Sequence, residues 1–188
     1  MKKVSLLMML LLAGCASDAP PEAVEPFKGN ALPLTVAHVE VVNPFVGYDD
    51  QQTDLVNTLA KSVDTWAKNV FVAKGQKGNL YVTIDDVSFK TQSLEKATQG
   101  VKGFFTKDQE SKMRASVTLR VEFREEGGEI VRTGVVNAAR ELSLPEGLTL
   151  NERQTKVETF IKGLVADLDE RTRSALTENL GDIVVKGL

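Results

Sequence analysis

Few side chains in this 188-residue sequence could do chemistry. There is one cysteine, Cys15, one histidine, His38, an acidic pair, Asp85-Asp86, and a same-face row of arginines, Arg114, Arg120 and Arg124. A lone cysteine has no disulfide partner within the chain, and a thiolate metal cage needs several. His38 could mark a functional surface, but a single histidine on a strand leaves few ways to build a nucleophile–base pair, and a structural polar role is the favoured reading. Asp85 and Asp86 could share a proton as a general acid/base pair. Neighbours on a strand point to opposite faces, so they converge only if a bulge intervenes, and the simpler reading is a strand end entering solvent. The arginines could grip an anion; alternation with Glu122 and the complementary Glu141 favour a solvated cross-strand charge network instead. Lys74-Gly75-Gln76-Lys77-Gly78 lacks the spacing of a phosphate loop and follows a helical pattern where such a loop precedes one. These residues predict no enzyme, no metal and no cofactor.

Cys15 gains a role from what precedes it. Lys2 and Lys3 make a basic start, and Val4–Leu12 is an apolar run too short to span a bilayer core of roughly 30 Å, so residues 1–14 read as a secretory signal peptide. The closing Leu12-Ala13-Gly14-Cys15 resembles the bacterial lipobox. That resemblance implies a lipid such as palmitate on the Cys15 thiol and cleavage that leaves Cys15 first. Each buried methylene contributes about 0.8 kcal/mol, so one acyl chain anchors marginally and two or more anchor stably. Ala16 and Ser17 follow, with no aspartate directly after the cysteine, which in enterobacterial-type sorting implies an outer-membrane lipoprotein facing the periplasm. An ordinary signal peptide followed by a free thiol is the alternative.

Removing residues 1–14 takes away two lysines and no acid, leaving 21 basic against 26 acidic side chains, a net charge of −5. Such a balance offers no basic patch for nucleic acid. The length suits one domain with its own core. Residues 15–33 read as the lipidated cysteine and a tether carrying Pro20, Pro21, Pro26 and Pro33, disordered or extended. As polyproline II, at about 3.1 Å per residue, it would reach about 55 Å. Residues 34–188 then form the folded body.

Within that body, Leu34–Asn43 reads as a first strand, apolar on both faces and therefore central in its sheet. A helix capped by Asp50 or Thr53 runs to about Val72, with Leu55, Leu59, Val63, Trp66 and Val70 on one stripe. Trp66 could be a ligand platform, but its place on the stripe favours core packing. Leu80 to about Lys90 alternates as a second strand. Gln92–Gln109 is a long polar connection interrupted by Gly100-Val101-Lys102-Gly103-Phe104-Phe105, and long connections tend to be functional or disordered. Val101, Phe104 and Phe105 are thus candidates for insertion into a lipid surface, an acyl chain or a partner's groove; a lid tucked over one end of the core is the alternative. Met113–Arg124 alternates most cleanly of all, with one dry and one wet face. Glu125–Gly128 is a hairpin turn, and Ile130 to about Leu144 returns as a fourth strand. Thr149 and Glu152 match a capping box, and the amphipathic helix behind them runs to Gly181. Its mixed-sign polar face suits docking on a sheet better than lying on a membrane. The tail Ile183–Val185 is apolar enough to pair at a sheet edge.

The element order β-α-β-β-β-α predicts an α+β two-layer sandwich: a mostly antiparallel four-stranded sheet with two amphipathic helices on one face. The pattern from lipobox to second helix resembles small envelope lipoproteins of the lipopolysaccharide-assembly and ABC-transport auxiliary type. That resemblance implies a non-enzymatic accessory protein, joined to the membrane by its lipid and to an envelope protein partner. A module that binds a lipid or other amphiphile is the alternative, and an envelope hydrolase the third.

Overall fold

The computed structural model describes residues 24–45, 53–93 and 109–185. Its elements are β1 (Leu32–Leu34), β2 (His38–Val42), α1 (Thr53–Val70), β3 (Phe71–Ala73), β4 (Asn79–Ser93), β5 (Gln109–Arg124), β6 (Ile130–Pro145) and α2 (Leu150–Asn179). The main sheet has the order β2-β4-β5-β6, with β2 parallel to β4 and the other pairs antiparallel. This is the expected α+β two-layer arrangement, enlarged by a small parallel sheet, β1-β3, that lies outside the expected element order.

The alternation in β5 sorts as read. Met113, Ala115, Val117, Leu119 and Val121 are buried, joined from β4 by Leu80, Val82 and Ile84 and from β6 by Val136 and Ala138. Both helices cover that face: Leu59, Val63, Trp66 and Val70 of α1, and Phe160, Ile161, Leu164, Val165 and Leu168 of α2, belong to one continuous core. Both halves of the capping box form, with Thr149 Oγ1 accepting from the Glu152 amide and Glu152 accepting from the Thr149 amide.

Three local expectations are corrected. The stretch 34–43 is not one central strand. Leu34 ends β1 and β2 starts at His38, so the chain changes sheets between them, and β2 is an edge strand. Leu34 and Val36 are fully buried because they meet β3 and the C-terminal tail, where Leu34 pairs with Val184 and Thr35 donates to Ile183 O at 2.7 Å. Thus the tail does pair at a sheet edge. Likewise α1 stops at Val70, short of Val72, because Phe71–Ala73 is drawn into register with Leu32–Leu34. The Gly75 amide then donates to Val36 O at 3.0 Å, and the Thr35 backbone passes so close to Gly75 that a Cβ there would collide with it. That glycine answers to packing against backbone, in keeping with its rejection as a phosphate loop.

The third correction concerns the tether. Its last part, from Val24 to Pro33, is docked on the domain. Phe27 packs against the core, and the Val24 amide lies 3.4 Å from Glu158 Oε2 on α2.

Candidate functional site

Cys15, Val101, Phe104 and Phe105 lie outside the described residues. His38 opens the edge strand β2, exposed and opposite Asn79. The acidic pair is not at a strand end, since β4 continues to Ser93. Ile84 pairs with Leu119 and Asp86 with Thr118, which leaves Asp85 as the extra residue of a β-bulge. A bulge resets the alternation, and both carboxylates are exposed to solvent. The condition for convergence is therefore met, yet Asp85 is engaged by a cation. Arg120 donates to it twice at 2.9 Å, from Nε and from Nη2.

That pair belongs to a network across the open face of the sheet. Arg120 Nη1 reaches Glu122 Oε1 at 3.2 Å, and Arg124 Nη2 reaches Glu122 Oε2 at 2.5 Å. Arg124 also lies 4.3 Å above the Tyr81 ring centroid. Pressed between the two guanidiniums, Glu122 is only 7 % exposed although it sits on the face turned from the helices. Hydrogen bonds and charge from Asp85 hold the Arg120 pKa above its ordinary value. Further along, Lys112 lies 2.5 Å and Arg114 3.7 Å from Glu141, and the hydrogen bond from Lys112 holds the Glu141 carboxyl below its usual range. The arginine row is thus a charge network. Its cations are already paired with acids, so the face is close to neutral.

On the helix-covered side, β6, an edge strand among the described residues, sends two arginines inward. Arg132 forms a bidentate pair with Asp182, at 2.7 and 2.8 Å, and stacks 5.3 Å from the Phe123 centroid. Arg140 crosses α2 at Gly163 to reach Asp167 at 3.0 Å. Inward charges on an edge discourage pairing with a foreign strand. Beside Arg132, a groove of about 330 Å³ opens between β6 and the end of α2, lined by Val121, Gly134, Val136, Ala175, Leu176 and Leu180. Nothing in the sequence set Gly134 beside Ala175.

Sequence reasoning also missed a buried polar cluster. Trp66 is fully buried, as its stripe implied, and its Nε1–H donates to Asp169 Oδ1 at 2.9 Å. Arg173 Nε donates to Asp169 Oδ2 at 2.8 Å, and its Nη2 donates to the carbonyl of Asn30. Asp169 reads as solvent-facing in the helical pattern, yet it is 9 % exposed. A signal was present: a buried indole needs an acceptor, and Asp169 and Arg173 stand four apart on one helix.

Among the described residues no group of three or more His, Cys, Asp or Glu could hold a metal ion, and no helix is long and apolar enough to cross a membrane. No protein-family model matches the chain, and no curated protein matches it in sequence. In a comparison of folds it is similar to a minor lipoprotein of Acinetobacter baumannii, at 13 % identity over 82 % of this chain and 100 % of that one, with a TM-score of 0.40. It is also similar to rare lipoprotein B of Shewanella oneidensis, at 11 % identity over 77 % and 97 % of the two chains, with a TM-score of 0.41. Likeness at that level assigns no role to any residue here.

Proposed function

We propose that this protein is a lipid-anchored, non-enzymatic accessory lipoprotein of the bacterial envelope, held in the outer membrane with its domain in the periplasm, where it supports a membrane or transport complex. The observation that carries this reading is Leu12-Ala13-Gly14-Cys15 behind a basic start and a short apolar run. The paired state of the charges on the open sheet face agrees with a body that binds and positions. Cells expressing the chain and fed radioactive palmitate should label it, and Cys15→Ser should abolish both the label and membrane retention. An unlabelled wild-type chain refutes the anchor. Val101, Phe104 and Phe105 are proposed to meet the partner. A protein captured from solubilised envelope by the wild type should be lost with Phe104→Asp/Phe105→Asp, and capture unchanged by that pair removes them from the reading.

The groove between β6 and α2 favours a second reading, a site for an acyl chain or similar amphiphile. Native mass spectrometry of membrane-extracted protein should then show a bound lipid that Ala175→Trp excludes. Lipid-free wild-type protein refutes it.

A further inference from the structure

We infer that Val24–Leu34 is a strap that holds the domain close to the bilayer. The inference rests on the lipid-anchor reading for the membrane and on the geometry below for the strap.

The segment is bound to the domain along its length. At its start the Val24 amide meets Glu158, and Val24 and Phe27 enclose a cleft with Thr58 and Ser62 of α1 and Ile161 and Val165 of α2. At its middle, Gly29 has φ +68°, and a Cβ there would lie 2.6 Å from Val70 Cγ2 and 3.2 Å from both Trp66 Cδ1 and Asp169 Oδ1. Neither the backbone conformation nor the space admits a side chain. The next carbonyl, of Asn30, accepts from Arg173, whose Nε is held by Asp169. At its end, Leu32–Leu34 pairs with Phe71–Ala73, and Val185 donates to Pro33 O at 3.0 Å. Backbone ladder, close-packed glycine and charged bond therefore act on one short stretch.

Two geometric consequences follow. First, only eight residues lie between Cys15 and Val24, and the nine Cα-to-Cα steps from one to the other span at most about 32 Å when fully extended. A tether free to Pro33 would span up to about 65 Å. Second, the strap meets both helices in the same order, Val24 near Thr58 and Glu158, Gly29 near Trp66 and Asp169. Read from Gly29 back to Val24, the docked strap therefore runs toward the early turns of α1 and α2.

Two measurements test the strap. Trypsin acts on the mature chain in detergent, whose Lys28 side chain is exposed while the backbone beside it is docked. Cleavage after Lys28 should be at least about tenfold faster in Gly29→Ala and in Arg173→Ala, with circular dichroism showing that both still fold. Equal rates in wild type and the folded Arg173→Ala chain overturn the strap, even where Gly29→Ala fails to fold. The second measurement is neutron reflectometry of lipidated protein on a supported bilayer of phosphatidylethanolamine and phosphatidylglycerol. The water gap under the domain should stay within about 32 Å in wild type and widen when the strap is released by Arg173→Ala. A wild-type gap well beyond that length overturns the stand-off. Failure of wild-type protein to carry an acyl group overturns the anchor and the stand-off with it, while the trypsin comparison still decides the strap.

Discussion

Replacing Asp169 by alanine and by asparagine separates two roles that one side chain plays. In the wild type, Oδ1 accepts from the fully buried Trp66 indole and Oδ2 from Arg173, whose side chain is 28 % exposed. Asp169→Ala leaves the indole N–H buried without a partner, a cost of about 1–3 kcal/mol. The Arg173 pair is a partly exposed i,i+4 pair, so its loss adds only about 0.3–0.5 kcal/mol. The better helix propensity of alanine returns about 0.5 kcal/mol, so the net destabilisation is about 2 kcal/mol. Asp169→Asn keeps a carbonyl oxygen for the indole and gives up only the charged bond, so it should cost less than about 1 kcal/mol. Urea unfolding at pH 7, followed by circular dichroism because the only tryptophan belongs to the cluster, gives both values. The Trp66→Phe/Asp169→Ala double variant should show a coupling of about 1 kcal/mol or more. The reasoning fails if asparagine costs as much as alanine, or if the two single effects simply add.

Other expectations follow from the same geometry. The hydrogen bond from Arg132 holds the Asp182 carboxyl below its ordinary range, so its contribution is complete above an unfolded pKa of about 3.9 and fades as pH falls through the lower folded value. The stability gap between wild type and Asp182→Asn should therefore be constant from about pH 5 to 7 and close in strong acid; a gap that persists to about pH 2 refutes the pairing. Gly163→Ala places a Cβ against the end of the Arg140 side chain, which can swing away. It loses an exposed ion pair worth at most about 1 kcal/mol but gains about 1 kcal/mol of helix propensity, so the melting temperature should hold or rise slightly. A fall of several degrees shows that Arg140 is fixed more firmly than its exposure implies. Thr149→Ala removes the cap of α2 and should cost about 1 kcal/mol in urea unfolding, with an undetectable change refuting the cap's role.

Periodicity and local chemistry were legible without a structure. The two-residue alternation of Met113–Val121, the stripe through Trp66 and the Thr149–Glu152 cap depend on residues close in sequence, and each stands where its pattern placed it. Two helices able to cover one sheet face followed from the same stripes. Alternation tells which side of a strand is dry, however, and says nothing of which distant segment makes it dry. Leu34 and Val36 look like members of a central strand because they are apolar, but their partners are Phe71–Ala73 and the tail near Val184. The bulge at Asp85 arises from the register against β5, which no local spacing encodes. The docking of Gly29 beside Trp66 and Asp169 joins residues from both ends of the chain. Composition alone made that segment a free tether. Only the tertiary structure made it part of the body, because burial of one short stretch is decided by the groove that two helices form.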